Sequence, residues 1–93
     1  MKIGTDLDGT LTIETEGHDY ESRTPNLPMI EKVNQWREEG HYITIFSSRW
    51  EVDKRVTLKW LKLNGVSFDE LILGKPGFDL YIDDIAMRPE EIL

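Results

Sequence analysis

Along the chain, hydrophobic positions fall into short runs whose spacing alternates between two periods, with glycine, proline and polar residues at the breaks. Met1 to Asp6 (MKIGTD) is a short apolar-leaning run closed by the Asp8-Gly9 turn signal, and it predicts a first strand. The next eighteen-odd positions, Leu11 to Pro28, are polar and turn-rich, with Gly17, Pro25 and Pro28. They predict a loop with a small hairpin around Thr12-Ile13 and Asp19-Tyr20. Pro28 then suits the first position of a helix, where its missing N–H costs nothing. Ile30, Val33 and Trp36 form one apolar face, and Gly40 provides the left-handed stop. Tyr42-Ile43-Thr44-Ile45-Phe46 is β-branched and aromatic throughout, hence a buried strand. A second helix is predicted from about Val52 to Asn64, with Val56, Trp60 and Leu63 on one side and Gly65 ending it. Two short strands follow, Glu70 to Leu73 and Leu80 to Ile82, and Pro89 to Ile92 reads as a closing helical turn.

Strands alternating with helices predict an α/β domain, Rossmann-like and three-layered, with a mainly parallel sheet. Such sheets bind ligands beyond the carboxyl ends of their strands. Asp6 and Asp8 follow the first strand, Ser47 and Ser48 the second, Lys75 the third, and Asp83 and Asp84 the last. The chemically capable residues therefore share one edge.

Composition narrows the picture. At 93 residues the chain has room for one core, so 1–93 is read as a single domain with 11–28 as a flap. The absence of cysteine removes disulfides, thiolate metal sites and a cysteine nucleophile. No stretch has the pattern of a signal peptide or a membrane span, so a cytoplasmic setting without a membrane partner is expected. A net charge of -7 disfavours nonspecific nucleic-acid binding and suits carboxylates gathered around a divalent cation.

The run Asp6-Leu7-Asp8-Gly9-Thr10 carries the chemistry. Side chains at i and i+2 on extended backbone point to one face, so Asp6 and Asp8 start close together. Asp83-Asp84 ends a second run whose apolar centre should be buried, and two like charges there require a cation or donors. With Asp6 they form an oxygen set suited to Mg²⁺, which takes few protein carboxylates. A carboxylate can attack phosphorus to form an acyl phosphate. A second acid two residues on can protonate the departing oxygen and then activate water. Lys75, the Ser47 hydroxyl and loop N–H groups suit the oxygens of the transferring group.

At these residues the sequence resembles the haloacid-dehalogenase-like (HAD) phosphohydrolases. DLDGT (Asp6 to Thr10) is similar to their first motif, Phe46-Ser47-Ser48-Arg49 to the second, Lys75 to the third and Ile82-Asp83-Asp84 to the fourth. The likeness runs from Met1 to about Glu91. It implies Asp6 as nucleophile and Asp8 as acid and base. Thr10, Ser47, Ser48, Arg49 and Lys75 become the candidates to hold phosphate. Mg²⁺ would be bound by Asp6, the Asp8 carbonyl and Asp83, with Asp84 assisting. Gly17 to Tyr20 (GHDY), the Gly74-Lys75-Pro76 turn and Leu80 to Asp84 (LYIDD) resemble small stand-alone phosphatases of capsular-polysaccharide gene contexts and phages.

Two departures from that family stand out. Only Gly74 to Phe78 separates the last two predicted strands, whereas a parallel crossover needs a dozen or more residues. Either the connection is an extended traverse, or Leu71 to Leu73 lies outside its usual place. The cap is minimal or missing, which implies either compact substrates or a homo-oligomer that closes the site. Trp36 and Trp60 are read as core, His18 and His41 as surface. Trp50 either flanks a leaving group or packs exposed, and Arg49 either holds a second anion or pairs with Glu51 and Asp53.

The function expected is a Mg²⁺-dependent phosphomonoester hydrolase acting on a small phosphorylated metabolite such as a sugar phosphate or nucleotide. The alternatives are a nucleic-acid 3′-end phosphatase, which a salt-dependent affinity for oligonucleotides would favour, and a non-catalytic receiver-like phosphoacceptor. The acid placed two residues after the nucleophile favours turnover over storage.

Overall fold

The structure is a computed structural model that describes residues 1–17 and 19–93; the reading of His18 lies outside the described residues. It is an α/β domain of the small Rossmann-like kind. The elements are β1 (Lys2–Thr5), α1 (Leu27–Glu38), β2 (Tyr42–Phe46), α2 (Lys54–Leu63), β3 (Glu70–Ile72) and α3 (Pro89–Ile92). A single 3-10 turn, Glu51–Asp53, leads into α2. The sheet is open, parallel and ordered β1-β2-β3. Ile3 pairs with Ile43 and Thr5 with Ile45, while Ile45 pairs with Leu71. Strand alternation puts all five on one face, the one the helices cover.

That face is the core. Ile43, Ile45, Leu61, Val33, Leu7 and Leu11 are fully buried together with Met29, Ile30 and Trp60. Burying a side chain of this size stabilises the fold by about 1.5–3 kcal/mol each. The opposite face carries Tyr42, Phe46 and Ile72, all exposed. Asn26 caps α1, its side chain accepting from the Met29 N–H, with Pro28 in the first turn. Gly40 then takes a φ of +97°, the left-handed stop predicted for it.

Three expectations change. The inward side of α2 is Thr57, Trp60 and Leu61, whereas Val56 is only partly covered and Leu63 is exposed. The helix is rotated so that Thr57 can receive the buried Arg49 beside it. In the flap, Thr12 bridges to Pro25, and the Ile13 N–H donates to the Thr24 carbonyl, so the pairing partner is not Asp19-Tyr20. Arg23 explains the shift, because its guanidinium donates to the Glu16 and Gly17 carbonyls and so ties the flap to itself at those two residues. Finally, Leu80 to Ile82 is not a strand. All three residues are exposed, as is Phe78, which stacks on Tyr81. Leu71 does lie in the sheet, paired with Ile45, so the short connection runs on as an extended arm.

Candidate active site

Asp6 stands immediately past β1, and the chain then turns sharply. The N–H groups of Thr10, Leu11 and Thr12 all donate to the Leu7 carbonyl. Gly9 sits in this turn at φ +81°, a conformation other residues rarely adopt, and an added Cβ would meet the Thr15 methyl at 2.6 Å. The Thr12 hydroxyl accepts from the Gly9 N–H and donates to the Glu14 carbonyl, which locks the loop from inside. This turn presents Asp6 and Asp8 at the carboxyl edge.

The two acids meet different surroundings. Asp6 keeps solvent-facing surface, and one oxygen accepts from the Leu7 N–H at 2.9 Å. Protein crowded around its carboxyl pushes the pKa above the usual carboxylate value; the Leu7 bond and the Lys75 charge oppose this rise. Asp8 is tied down by two arginines. Arg49 Nε and Nη2 donate to its two oxygens at 2.9 and 2.7 Å, a bidentate fork, and Arg23 Nε lies 3.6 Å away. Both guanidinium side chains are almost wholly buried, at 1% and 3% exposure, so these are not screened surface pairs. Arg49 Nη1 also donates to the Thr57 hydroxyl, and the Tyr20 ring lies 3.9 Å from the guanidinium carbon. Arg49 therefore pairs with neither Glu51 nor Asp53; Glu51 faces Lys54, and Asp53 accepts from the Trp50 N–H.

The remaining candidates arrive from the neighbouring strand ends. Ser47 is buried, and its hydroxyl accepts from the Arg49 N–H, while Ser48 is exposed. The Gly74 N–H donates to the Arg49 carbonyl and the Lys75 N–H to the Ser47 carbonyl, which stitches the loop after β3 to the loop after β2. The Lys75 ammonium lies 5.5 Å from the Phe46 ring and acts on the charge of Asp6. Thr10 is half-buried in the first loop, where its carbonyl accepts from the Asn26 side chain. Asp6, Asp8, Thr10, Ser47, Arg49 and Lys75 are thus gathered at one edge.

Asp83 and Asp84 stand apart on the exposed arm. Asp83 accepts from the Ile85 N–H and the Tyr81 hydroxyl, which hold its pKa below the usual range. Among the described residues no three histidine, aspartate or glutamate side chains converge as a metal cage. Within one chain, then, the donors expected for Mg²⁺ are divided between the sheet edge and the arm. Trp50 is exposed, and His41 Nδ1 accepts from the chain's own N-terminal ammonium.

Of the flap residues that reach Asp8 and Arg49, Tyr20 ends the Gly17–Tyr20 run already noted, whereas Arg23 belongs to no motif and in a polar loop reads as a solvated charge.

Fold and edge together define a small parallel α/β domain with an acid pair, a lysine and a buried arginine fork at the strands' carboxyl ends. A crystal structure of an MCSG target from Vibrio cholerae matches it with a TM-score of 0.85 and 36% identity, covering 97% of this chain and 85% of that one. The chain belongs to the same family as that Vibrio cholerae protein. Two further structures share the fold at lower identity. A Pnkp1/Rnl/Hen1 complex matches with a TM-score of 0.69 and 22% identity over 98% of this chain and 33% of that one. A Pnkp1/Rnl/Hen1 RNA repair complex matches at 0.68 and 20%, over 98% and 29%. The chain thus spans about a third of those two. No family model and no curated protein matches it. No helix among the described residues is long and apolar enough to cross a membrane.

Proposed function

We propose that this protein is a HAD-type phosphomonoester hydrolase that works through an aspartyl phosphate on Asp6, with a small phosphorylated metabolite as substrate. The observation that carries this reading is the division of labour at the first loop. Asp6 faces outward beside Lys75, while Asp8, two residues on, is held by Arg49 in a fixed position.

An Asp6 oxygen attacks phosphorus, the ester P–O bond breaks, and the leaving oxygen takes a proton from Asp8. Asp8 then removes a proton from water, which attacks the same phosphorus, and the bond to Asp6 breaks to release phosphate. Lys75 and the N–H groups of the first loop offset the negative charge of the transferring group. In the resting geometry Arg49 donates to both Asp8 oxygens, so Asp8 must open one of these bonds and take a proton from water before it can give one to the leaving oxygen. Tyr20 and Arg23 bring the flap over Asp8, which shields that acid from water more than it shields Asp6. Mg²⁺ is the cofactor we expect, although the described residues of one chain do not by themselves gather the expected ligands.

The fold shared with an RNA repair complex favours one second reading, hydrolysis at a nucleic-acid 3′ end. A panel of sugar phosphates, nucleotides and 3′-phosphorylated oligonucleotides separates the two. The proposal expects turnover of compact monoesters and little gain from a polymer. Turnover confined to oligonucleotide ends would install the second reading, and no turnover of any monoester, with or without Mg²⁺, would overturn both.

A further inference from the structure

Leu80 to Ile82 reads as a strand in the sequence and is none in the structure, and β1 has one partner only among the described residues. Laid parallel along the free edge of β1, the two segments match position by position. Asp79 falls beside Lys2, Leu80 beside Ile3, Tyr81 beside Gly4, Ile82 beside Thr5 and Asp83 beside Asp6. In this register Leu80 and Ile82 share the face of Ile3 and Thr5, the side the helices cover. Tyr81 falls over Gly4, where an added Cβ meets nothing within 4 Å. Asp79 meets the opposite charge of Lys2. A shift of one residue would put Leu80 and Ile82 on the bare face and lose the charge pair.

The same chain cannot supply this strand. Its loop is fixed at Lys75, whose N–H bonds the Ser47 carbonyl beyond the top of β2. Four residues from there to Asp79 span at most about 14 Å. The place beside Lys2 lies at the other end of the sheet, some three strand spacings across and five residues down, about 20 Å away. Meanwhile Leu80, Ile82 and Ile85 of the arm are 71%, 86% and 84% exposed, which a lone domain gains nothing from. The arm is also not peculiar to this chain. The Vibrio cholerae crystal structure aligns over 97% of it, so what the alignment omits is shorter than the arm.

We propose that two copies of this chain exchange their arms. The Asp79–Asp83 segment of each adds as a fourth parallel strand to β1 of the other, and the exchange is reciprocal and closed. It completes the sheet, buries the exposed apolar residues and places Asp83 and Asp84 of one copy against Asp6 of the other. Those like charges at adjacent strand ends need a cation between them. The division of carboxylates found within one chain is then repaired between chains. The metal-binding part of this inference rests on the phosphatase reading; the strand exchange does not.

Sedimentation of the full chain with Mg²⁺ and with EDTA tests the exchange directly. A dimer tightened by Mg²⁺ is expected, and Ile82→Pro, which removes a strand N–H, should return it to monomer. Ile82→Lys gives the same readout without a proline, and far-UV circular dichroism checks that the body stays folded. Asp6→Asn and Asp83→Asn/Asp84→Asn chains are then mixed after mild unfolding and refolding. Each should be defective alone in calorimetric Mg²⁺ binding, and the mixture should recover about a quarter of the wild-type sites, because about half the dimers are mixed and each holds one intact site. A monomer at tens of micromolar with Mg²⁺ present, a dimer indifferent to both Ile82 variants, or a mixture that recovers nothing would each overturn the exchange. A dimer broken by the Ile82 variants in a protein that hydrolyses no monoester would instead uphold the exchange and sink the phosphatase reading.

Discussion

Replacing Arg49 by alanine removes the fork that fixes Asp8, and the cost follows from the hydrogen bonds that disappear with the guanidinium. There are three, two of them to a carboxylate at 2.9 and 2.7 Å and one to Thr57 at 2.9 Å. Breaking a buried pair from one side costs about 3–5 kcal/mol. Two features pull the figure to the lower end. Arg23 Nε remains 3.6 Å from Asp8, and the Asp8 side chain is 19% exposed, so water reaches the stranded charge. A loss of about 3 kcal/mol is expected, which for a domain of this size lowers Tm by about 12–24 °C. Arg49→Lys should lose less, since it keeps a charge without the planar fork. Urea unfolding of wild type, Arg49→Ala, Asp8→Ala and the double variant yields a coupling energy, expected at about 1–3 kcal/mol. The coupling should survive in molar salt, because a buried pair is screened little. An Arg49→Ala cost below about 0.5 kcal/mol, the range of ordinary surface changes, or a coupling abolished by salt, would show that the fork does not hold Asp8.

Other consequences are open to equally direct measurement. Asp8→Asn should fold and still accept from Arg49, yet lose about 10²–10⁴-fold in turnover as the acid–base group disappears; near-normal turnover would remove Asp8 from the mechanism. Leu61→Ala, at a fully buried position, should cost about 2–5 kcal/mol in urea unfolding. Asp69 accepts from the Ile43 N–H and from Arg37, which hold its pKa below the ordinary carboxylate value. Its contribution should therefore be complete above its unfolded pKa of about 3.9 and be lost as pH falls through the lower folded value. Wild type and Asp69→Ala should differ in Tm at neutral pH and converge in strong acid, and a difference that widened on acidification would reverse the sign of this argument.

Much of the architecture is legible because short-range rules govern it. Pro28 and Gly40 bracket α1 closely, and the β-branched run at 42–46 is the central strand. Helix α2 is harder to orient. Periodicity alone favours Val56, Trp60 and Leu63, but a polar Thr57 is buried because a buried arginine needs its hydroxyl. That requirement comes from Asp8, forty-one positions before Arg49, and no local pattern contains it. The flap hides its partners for the same reason, since Arg23 and Tyr20 acquire meaning only once Asp8 and Arg49 are in place. At the candidate site, the residues contributed by the loops after β1, β2 and β3 come together as their spacing predicts. Asp83 and Asp84 do not join them, and the cause is covalent: too few residues lie between Lys75 and Asp79 for one chain to return to its own first strand.

Chemical trapping decides whether Asp6 carries phosphate during turnover. A reaction with a good-leaving-group monoester is quenched in acid and treated with borohydride, which reduces an acyl phosphate to the alcohol, and the residue altered is located by peptide mapping. Reduction at Asp6 is expected, dependent on substrate and absent from Asp6→Asn. Phosphate release with Asp6 unreduced, or reduction at another carboxylate, would contradict it.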